Sequence, residues 1–384
     1  MPDNQAYAIE VVSDTHAFAQ LRDEWTYLND ASSKGTVFIS WEWLFNWWQV
    51  FQDDGKRTLF ILVCRDPHNT LMGIAPLQLV YNPKRYFPCN RQLLFLGTGE
   101  TKDESIFGEY MDLLIRPGHE SPVCLAFSDY LFEQRSLWDG AKFQQLLGDS
   151  HLSSLFQQQS QHISQTITEN GFRTYIKLPE TYKEFLMGLR KKMRNNITRN
   201  FTRLQNEQKV TIKSINDGLD PDYCISTLAE LNRGRRENHN HDSVFNSQRF
   251  EQFHHKLVNY LLPLGKVQLR ILYFDDKPVA SIYGFLDKDF LHIYQSGFKN
   301  EYAQRYSLLT TLLSQEISAS IDNPKIKVFN FMYEDHEATY KKRYSSSTET
   351  MYDIAYDKKT LKCRLFQFIH GPFKALVKKL LGKT

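Results

Sequence analysis

The chain contains no run of about 18 apolar residues, so no segment is long enough to cross a bilayer as a helix. Cysteine is scarce. The five in 384 residues (Cys64, Cys89, Cys124, Cys224 and Cys363) are scattered, odd in number and free of CxxC or zinc-like spacings. Free thiols in a reducing cytoplasm are the expectation. GxSxG, Walker A, GxGxxG and HExxH are all missing. Serine-hydrolase, P-loop, Rossmann and zinc-protease readings therefore have no support. The opening stretch MPDNQAYAIEVVSD lacks a basic segment followed by an apolar one, so no secretory signal is expected.

Acidic residues are missing from the end of the chain. Residues 358–384 hold eight Lys/Arg and no Asp or Glu, so the net charge of +3 becomes −5 for residues 1–357. Affinity of the whole protein for nucleic acid is not implied. In PFKALVKKLLGKT, the side chains of Phe373, Leu376, Val377, Leu380 and Leu381 share one helical face, with Lys374, Lys378 and Lys379 away from it. Such a basic amphipathic helix suits an anionic membrane surface or the protein's own acidic body.

What is present is enough for two domains: 41% hydrophobic and 14% aromatic residues over 384 positions. The boundaries expected are 1–165, 166–357 and the tail 358–384. In the first part, helices are expected at THAFAQLRDEWTYLND and SWEWLFNWWQVF, the second capped by Ser40. TLFILVCRD and LMGIAPLQLVY read as two strands joined by the turn PHNT, followed by strands RQLLFLG and YMDLLI and a helix PVCLAFSDYLFEQR. In the second part, RTYIKLP reads as a strand and residues 181–208 as one long basic helix. Helices 221–238 and 247–261 come next, then strands KVQLRILYF, KPVASIYGFLD and DFLHIYQSGF, helix 308–321, and strands IKVFNFM and TETMYDIAY. Both parts place helices before hairpin-linked strands, a mixed α/β arrangement without regular βαβ repetition.

Several stretches carry candidate chemistry. In YQSGFKNEYAQRYSLLTTLL, Ser307 stands where an N-cap belongs, ahead of an apolar stripe that begins at Leu308. The first-turn amides of such a helix attract anions, and Arg305 adds a full charge; an ordinary capped core helix fits the same residues. Gly297, at the end of the preceding strand, permits close backbone approach. A charged loop after Met332 delivers Tyr340, Lys341, Lys342 and Arg343, which are proton carriers or phosphate contacts if they face a cleft. The block at 183–204 holds seven Lys/Arg against Glu184 alone, and reads as a polyanion face or as a solvated one. His239 and His241 lack the further ligands a metal needs. Trp41, Leu44, Trp48 and Phe51 form a stripe with Trp43 off it, a core face or a sugar-stacking platform.

Four segments together resemble a known family. FISWEWLFNWWQVF, LRKKMRNNITRNFTRLQ, LNRGRRENHNHDSVF and the series from YQSGFKNEYAQRYS to VFNFMYEDHEATYKKRYSS are similar, in that order, to the BioF2-like (CelD-like) acetyltransferases. These form a FemAB-related branch of the GNAT superfamily, often found with bacterial polysaccharide biosynthesis. The resemblance implies an α/β (α+β) fold of two tandem GNAT-like subdomains, with mixed, largely antiparallel sheets flanked by helices. It implies acyl transfer from acetyl-CoA or another acyl-CoA, without a metal, to an amine or hydroxyl of a sugar or cell-envelope precursor. Donor-site residues on this reading are Tyr294, Ser296, Gly297, Arg305, Tyr306, Ser307 and Asn330. Tyr340 or Lys341 handles a proton and Arg235 orients the acceptor. The protein is expected in the cytoplasm, with peripheral membrane contact through its tail. Two alternatives remain: a FemX-like transferase using aminoacyl-tRNA, with the basic helix as footprint, and a non-catalytic GNAT-like scaffold for a membrane-bound synthase. The family has Pro-Gly after Tyr-Ser, whereas this chain has Leu308-Leu309.

Overall fold

The computed structural model describes residues 7–52, 55–82, 88–237, 242–303, 305–335, 341–344 and 347–369. The chain divides into two compact units. The first comprises Met1–Gly99, Phe107–Asn170 and Met351–Thr384, the second Glu100–Ile106 and Gly171–Thr350. No helix among the described residues is long and apolar enough to cross a membrane.

In the first unit, proline and chain geometry cut the two expected long strands. TLFILVCRD becomes Arg57–Leu59 and Ile61–Arg65, and LMGIAPLQLVY becomes Leu71–Ala75 and Leu77–Tyr81. Pro76 has no N–H to give a ladder, and at this point each strand leaves one sheet for another. Ile61–Arg65 and Leu71–Ala75 pair with each other and with Ala8–Val12 and Leu114–Ile115, while Arg57–Leu59 and Leu77–Tyr81 pair with each other and lead on to Arg91–Phe95 and Gly140–Leu147. The Gly140–Leu147 strand was not expected from the sequence.

The Trp41–Phe51 helix begins where Ser40 predicts, with Ser40 Oγ accepting from the Trp43 amide at 3.3 Å. Its burial is wider than a stripe. Every residue except Gln49 is buried, and Trp43 and Trp47 are fully enclosed. A helix apolar on nearly all sides belongs inside a core. Trp41 and Trp48 keep their indole N–H groups satisfied on Phe18 O at 3.0 Å and Thr15 Oγ1 at 2.9 Å. The sugar-platform alternative therefore has no exposed tryptophan face here.

The second unit is built on the strands Val210–Ser214, Val267–Phe274, Lys277–Asp287, Phe290–Phe298 and Val328–Glu334, in that spatial order, with residues 172–177 of the Ile163–Lys177 strand beyond. All neighbours are antiparallel except Phe290–Phe298 with Val328–Glu334. Strand alternation sorts the side chains. Ala280 and Ile282 join a core with Leu308, Leu312 and Ile317 of the Leu308–Ile321 helix, while Tyr283 faces His254 of the Gln248–Leu261 helix.

The expected 181–208 helix is two helices, Tyr182–Gly188 and Lys191–Glu207. Leu189 and Arg190 take extended backbone between them (ψ 150° and 141°), immediately after Gly188, whose backbone freedom makes it a poor residue to continue a helix. Along the second helix Ile197 and Leu204 are buried, while Phe201 is only half-buried. Of the expected tail helix, Leu361–Phe368 is described, and residues 370–384 lie outside the described residues.

Candidate active site in the second unit

The parallel strands Phe290–Phe298 and Val328–Glu334 pair only through Phe290↔Val328, Leu291↔Phe329 and His292↔Asn330. Beyond that point each strand continues, but they are no longer partners. The parting coincides with a bulge. Met332 has φ +62°, and the register against residues 172–177 shifts between Asn330 and Tyr333. Left-handed backbone at a non-glycine residue costs about 1–2 kcal/mol, so it persists only where the surroundings hold it. Asn330 supplies that hold. It is fully buried, its Oδ1 accepts from the Met332 amide at 2.9 Å, and its Nδ2 donates to His292 Nδ1 at 2.9 Å. Burial, aided by the charge of Arg173, pushes the His292 pKa down to about 3, so the imidazole is neutral.

Lys341 reaches the same bulge. Its ammonium donates to the Tyr333 carbonyl and to Met332 O (3.4 Å), and its amide donates to Glu334 Oε1 at 3.3 Å. Tyr340, His239 and His241 lie outside the described residues.

On the other strand, Ser296, Gly297 and Arg235 are brought together. Arg235 Nη1 donates to Ser296 Oγ at 3.1 Å. Gly297 is required by packing: a Cβ there would lie 2.4 Å from the Asn232 nitrogen of the Pro221–Glu237 helix. Asn232, which sequence reasoning missed, locks the contact by donating to Ser296 O at 2.8 Å and accepting from Ser243 Oγ at 2.7 Å. Tyr294 packs in an aromatic group with His254, Tyr283 and Phe285. Burial pushes the His254 pKa down to about 3.

Arg305 and Tyr306 are placed differently from an open phosphate site. Arg305 is 65% exposed and pairs with Glu207 at 2.7 Å, and the buried Tyr306 donates its hydroxyl to the same carboxylate at 2.8 Å. The Tyr306 bond and then the Arg305 contacts lower the Glu207 pKa, so the acid stays ionised and offsets the arginine. Ser307 occupies the N-cap position, but its side chain makes no capping bond. Instead the Leu308 amide turns back to Tyr306 O at 2.9 Å, and Leu308 points into the core. The expected hydroxyl cap is thus not formed. No local pattern could have announced the partner Glu207, which is 98 positions away from Arg305.

The cations gather instead in a groove of about 1370 Å³. Lys192, Asn196, Arg199 and Arg203 line it at helical spacing. Lys342, Arg343 and Tyr344 face it from the turn that carries Lys341 to the bulge, and Glu184 is the one acid in the lining described. The floor includes Phe185, Leu189 and Met193. Arg203 also donates to Arg305 O at 3.3 Å, so the groove runs up to the loop before the Leu308–Ile321 helix. Among the described residues no group of His, Cys, Asp or Glu is arranged to hold a metal ion.

Residues 191–342 match the acetyltransferase (GNAT) domain family, a span that covers the basic helix, the parting strands and Lys341. The matched span is about two fifths of the chain. Among solved structures it is similar to FemX, at 10% identity over 91% of this chain and 98% of that one, with a TM-score of 0.62. L-PGS from Bacillus licheniformis matches at 11% identity over 92% and 94%, TM-score 0.51. A conserved protein of unknown function from Bacteroides thetaiotaomicron matches at 10% identity over 91% and 100%, TM-score 0.53. A sequence search of curated proteins finds no match. At these identities the structural likenesses speak for the fold. That fold is of the mixed α/β class expected from the sequence, with largely antiparallel sheets, and is similar to that of FemX.

Proposed function

We propose that the second unit is an acyltransferase that takes an acyl group, acetyl or related, from acyl-CoA and passes it to an amine or hydroxyl of a sugar or cell-envelope precursor. The observation that carries this reading is the strand pair that parts after His292 and Asn330 beside a groove lined with cations. A pantetheine arm would lie between the parted strands, where backbone amides and carbonyls can meet its own amides. The donor phosphates would be met by the groove cations Lys192, Arg199 and Arg203 rather than by Arg305; Glu207 lies 2.7 Å from Arg305 and 3.6 Å from Arg203, so its charge is held more closely by Arg305. The acceptor heteroatom attacks the thioester carbonyl directly, the C–S bond breaks, and the thiolate leaves. Lys341 or Tyr340 would handle the proton and Arg235 would orient the acceptor.

A second reading, transfer from an aminoacyl-tRNA, is favoured by one feature. The groove-facing row from Lys192 to Arg203 extends about 17 Å along its helix, longer than a single diphosphate needs. Titration calorimetry with acetyl-CoA separates the two. The leading reading expects saturable binding, weakened about tenfold or more by joint Arg199→Ala and Arg203→Ala replacement. Absence of binding to the unaltered protein overturns it. RNA binding that falls steeply with salt, together with no CoA binding, would establish the second reading.

A further inference from the structure

Cys89 and Cys363 stand 274 positions apart in the chain, yet in the first unit their sulfurs lie 3.1 Å from each other, both wholly buried. Cys89 sits in the turn at residues 88–90, and Cys363 sits on the Leu361–Phe368 helix. Neither belongs to the site described above.

Of that helix's seven described side chains, five are exposed. Among its described side chains Cys363 alone is wholly buried, while Leu361, Leu365 and Phe368 are 83%, 49% and 55% exposed. Lys362 adds a 2.8 Å contact with Asp139, and Cys363 Sγ donates to Asp139 O at 3.3 Å. An element with so few buried apolar anchors opens at low free-energy cost.

We propose that Cys89 and Cys363 are an oxidation site: a hydroperoxide converts them to a disulfide that clasps the Leu361–Phe368 helix to the turn at residues 88–90. Cys363 is the attacking thiol. It stands in the first helical turn, where backbone amides favour a thiolate, and its amide bonds the N-cap Thr360. The hydrogen bond donated by Cys89 brings its pKa down to about 7 against the opposing effect of burial. The Cys363 thiolate attacks one peroxide oxygen, so that an S–O bond forms and the O–O bond breaks. The departing oxygen takes up the proton that Cys363 released on ionising and leaves as water (as an alcohol from an alkyl hydroperoxide), and Cys363 becomes a sulfenic acid. Cys89 then attacks Cys363 Sγ, the S–S bond forms, and the sulfenic oxygen leaves as water with the Cys89 proton. The two thiols lose two electrons and the peroxide gains two. Burial pushes the thiols of Cys64, Cys124 and Cys224 up to about 12, which keeps them protonated and slow to react.

The test treats the reduced full-length chain with hydrogen peroxide under native conditions, then alkylates and maps peptides by mass. The expected product is a Cys89–Cys363 crosslink with the other three cysteines alkylated. Amide exchange across residues 361–368 should slow about tenfold on oxidation and recover with a dithiol reductant. Cys363→Ser and Cys89→Ser chains should each lose both effects. A stable sulfinic acid on Cys363 without a crosslink, or a crosslink formed only in denaturant, overturns the proposal. So does a crosslink that leaves exchange of the helix unchanged. None of these outcomes depends on acyl transfer.

Discussion

Asn330 and His292 are bonded side chain to side chain where two parallel strands part, Nδ2 to Nδ1 at 2.9 Å. Because the Asn330 carbonyl oxygen is occupied by the Met332 amide, its NH₂ must face the histidine. His292 therefore accepts through Nδ1 and carries its proton on Nε2. One buried amide thus fixes both the tautomer of its neighbour and the left-handed turn of the bulge.

Asn330→Ala removes both bonds in a fully buried setting, with an expected loss of about 2–4 kcal/mol. Asn330→Asp keeps the acceptor for Met332 and should restore the bulge while losing the donor to His292. Urea midpoints check both, and an alanine variant as stable as the parent would show that the bulge does not need this side chain.

Acid should weaken the fold through two histidines. His292 and His254 are held neutral in the native state with pKa values of about 3, burial being the larger cause in each. The unfolded chain protonates them near about pH 6.5. Their contribution is fully present above that value and is lost as the pH falls from about 6.5 toward about 3. The slope is at most about 1.4 kcal/mol per pH unit for each histidine. Denaturation followed between about pH 7.5 and about pH 5 should show the decline, and His254→Phe should flatten it. A stability that does not change with pH in this window contradicts the buried neutral state.

Two glycines next to the same helix contact should respond with opposite signs. At Gly297 a methyl group meets Asn232 N at 2.4 Å and the Leu231 carbonyl carbon at 2.5 Å, both backbone atoms that side-chain rotation cannot clear. Gly297→Ala should cost about 1–3 kcal/mol and disturb the Arg235–Ser296 bond. Gly234, inside the helix, has nothing within 4 Å of an added Cβ. Gly234→Ala should raise stability by up to about 1 kcal/mol through helix propensity. Thermal melts of the two variants suffice, and equal effects would refute the packing argument.

Glu207 should act as a brake on Arg305. Arg305→Ala is expected to change acetyl-CoA affinity by less than about threefold, because the exposed arginine is already paired. Glu207→Gln frees the guanidinium and should strengthen binding and steepen its dependence on salt. A large loss in the alanine variant would return the donor phosphate to Arg305.

Much of the fold could be read locally. The Ser40 cap, the Val267–Phe298 meander with its two short turns, and the start of the helix at Leu308 all follow from residue types within a few positions. The candidate site was legible in part. The basic segment and the close approach at Gly297 were marked by composition or motif, and Arg235 and Ser296 were each named through the family resemblance; the bond between those two, Asn232 and His292 were not foreseen. An asparagine or histidine inside an apolar segment carries no sign of the partner that will satisfy it.

The sequence by itself determined most of the helical and strand segments, which faces are apolar, and where positive charge accumulates, because these depend on neighbours one or four positions away. The breaks in the 181–208 helix and in the first-unit strands, and the Gly140–Leu147 strand, were set by the fold. Only the tertiary structure decided which of those charges remain available. Arg305, next to a helix start, is met by Glu207 from a helix 98 positions earlier, while Lys192 and Arg199 line a groove together with Lys342 and Arg343. The same holds for the parting of the strands and for the meeting of Cys89 with Cys363. Pairing, desolvation and charge neutralisation are set by distance in space, and the chain folds to bring those partners within reach.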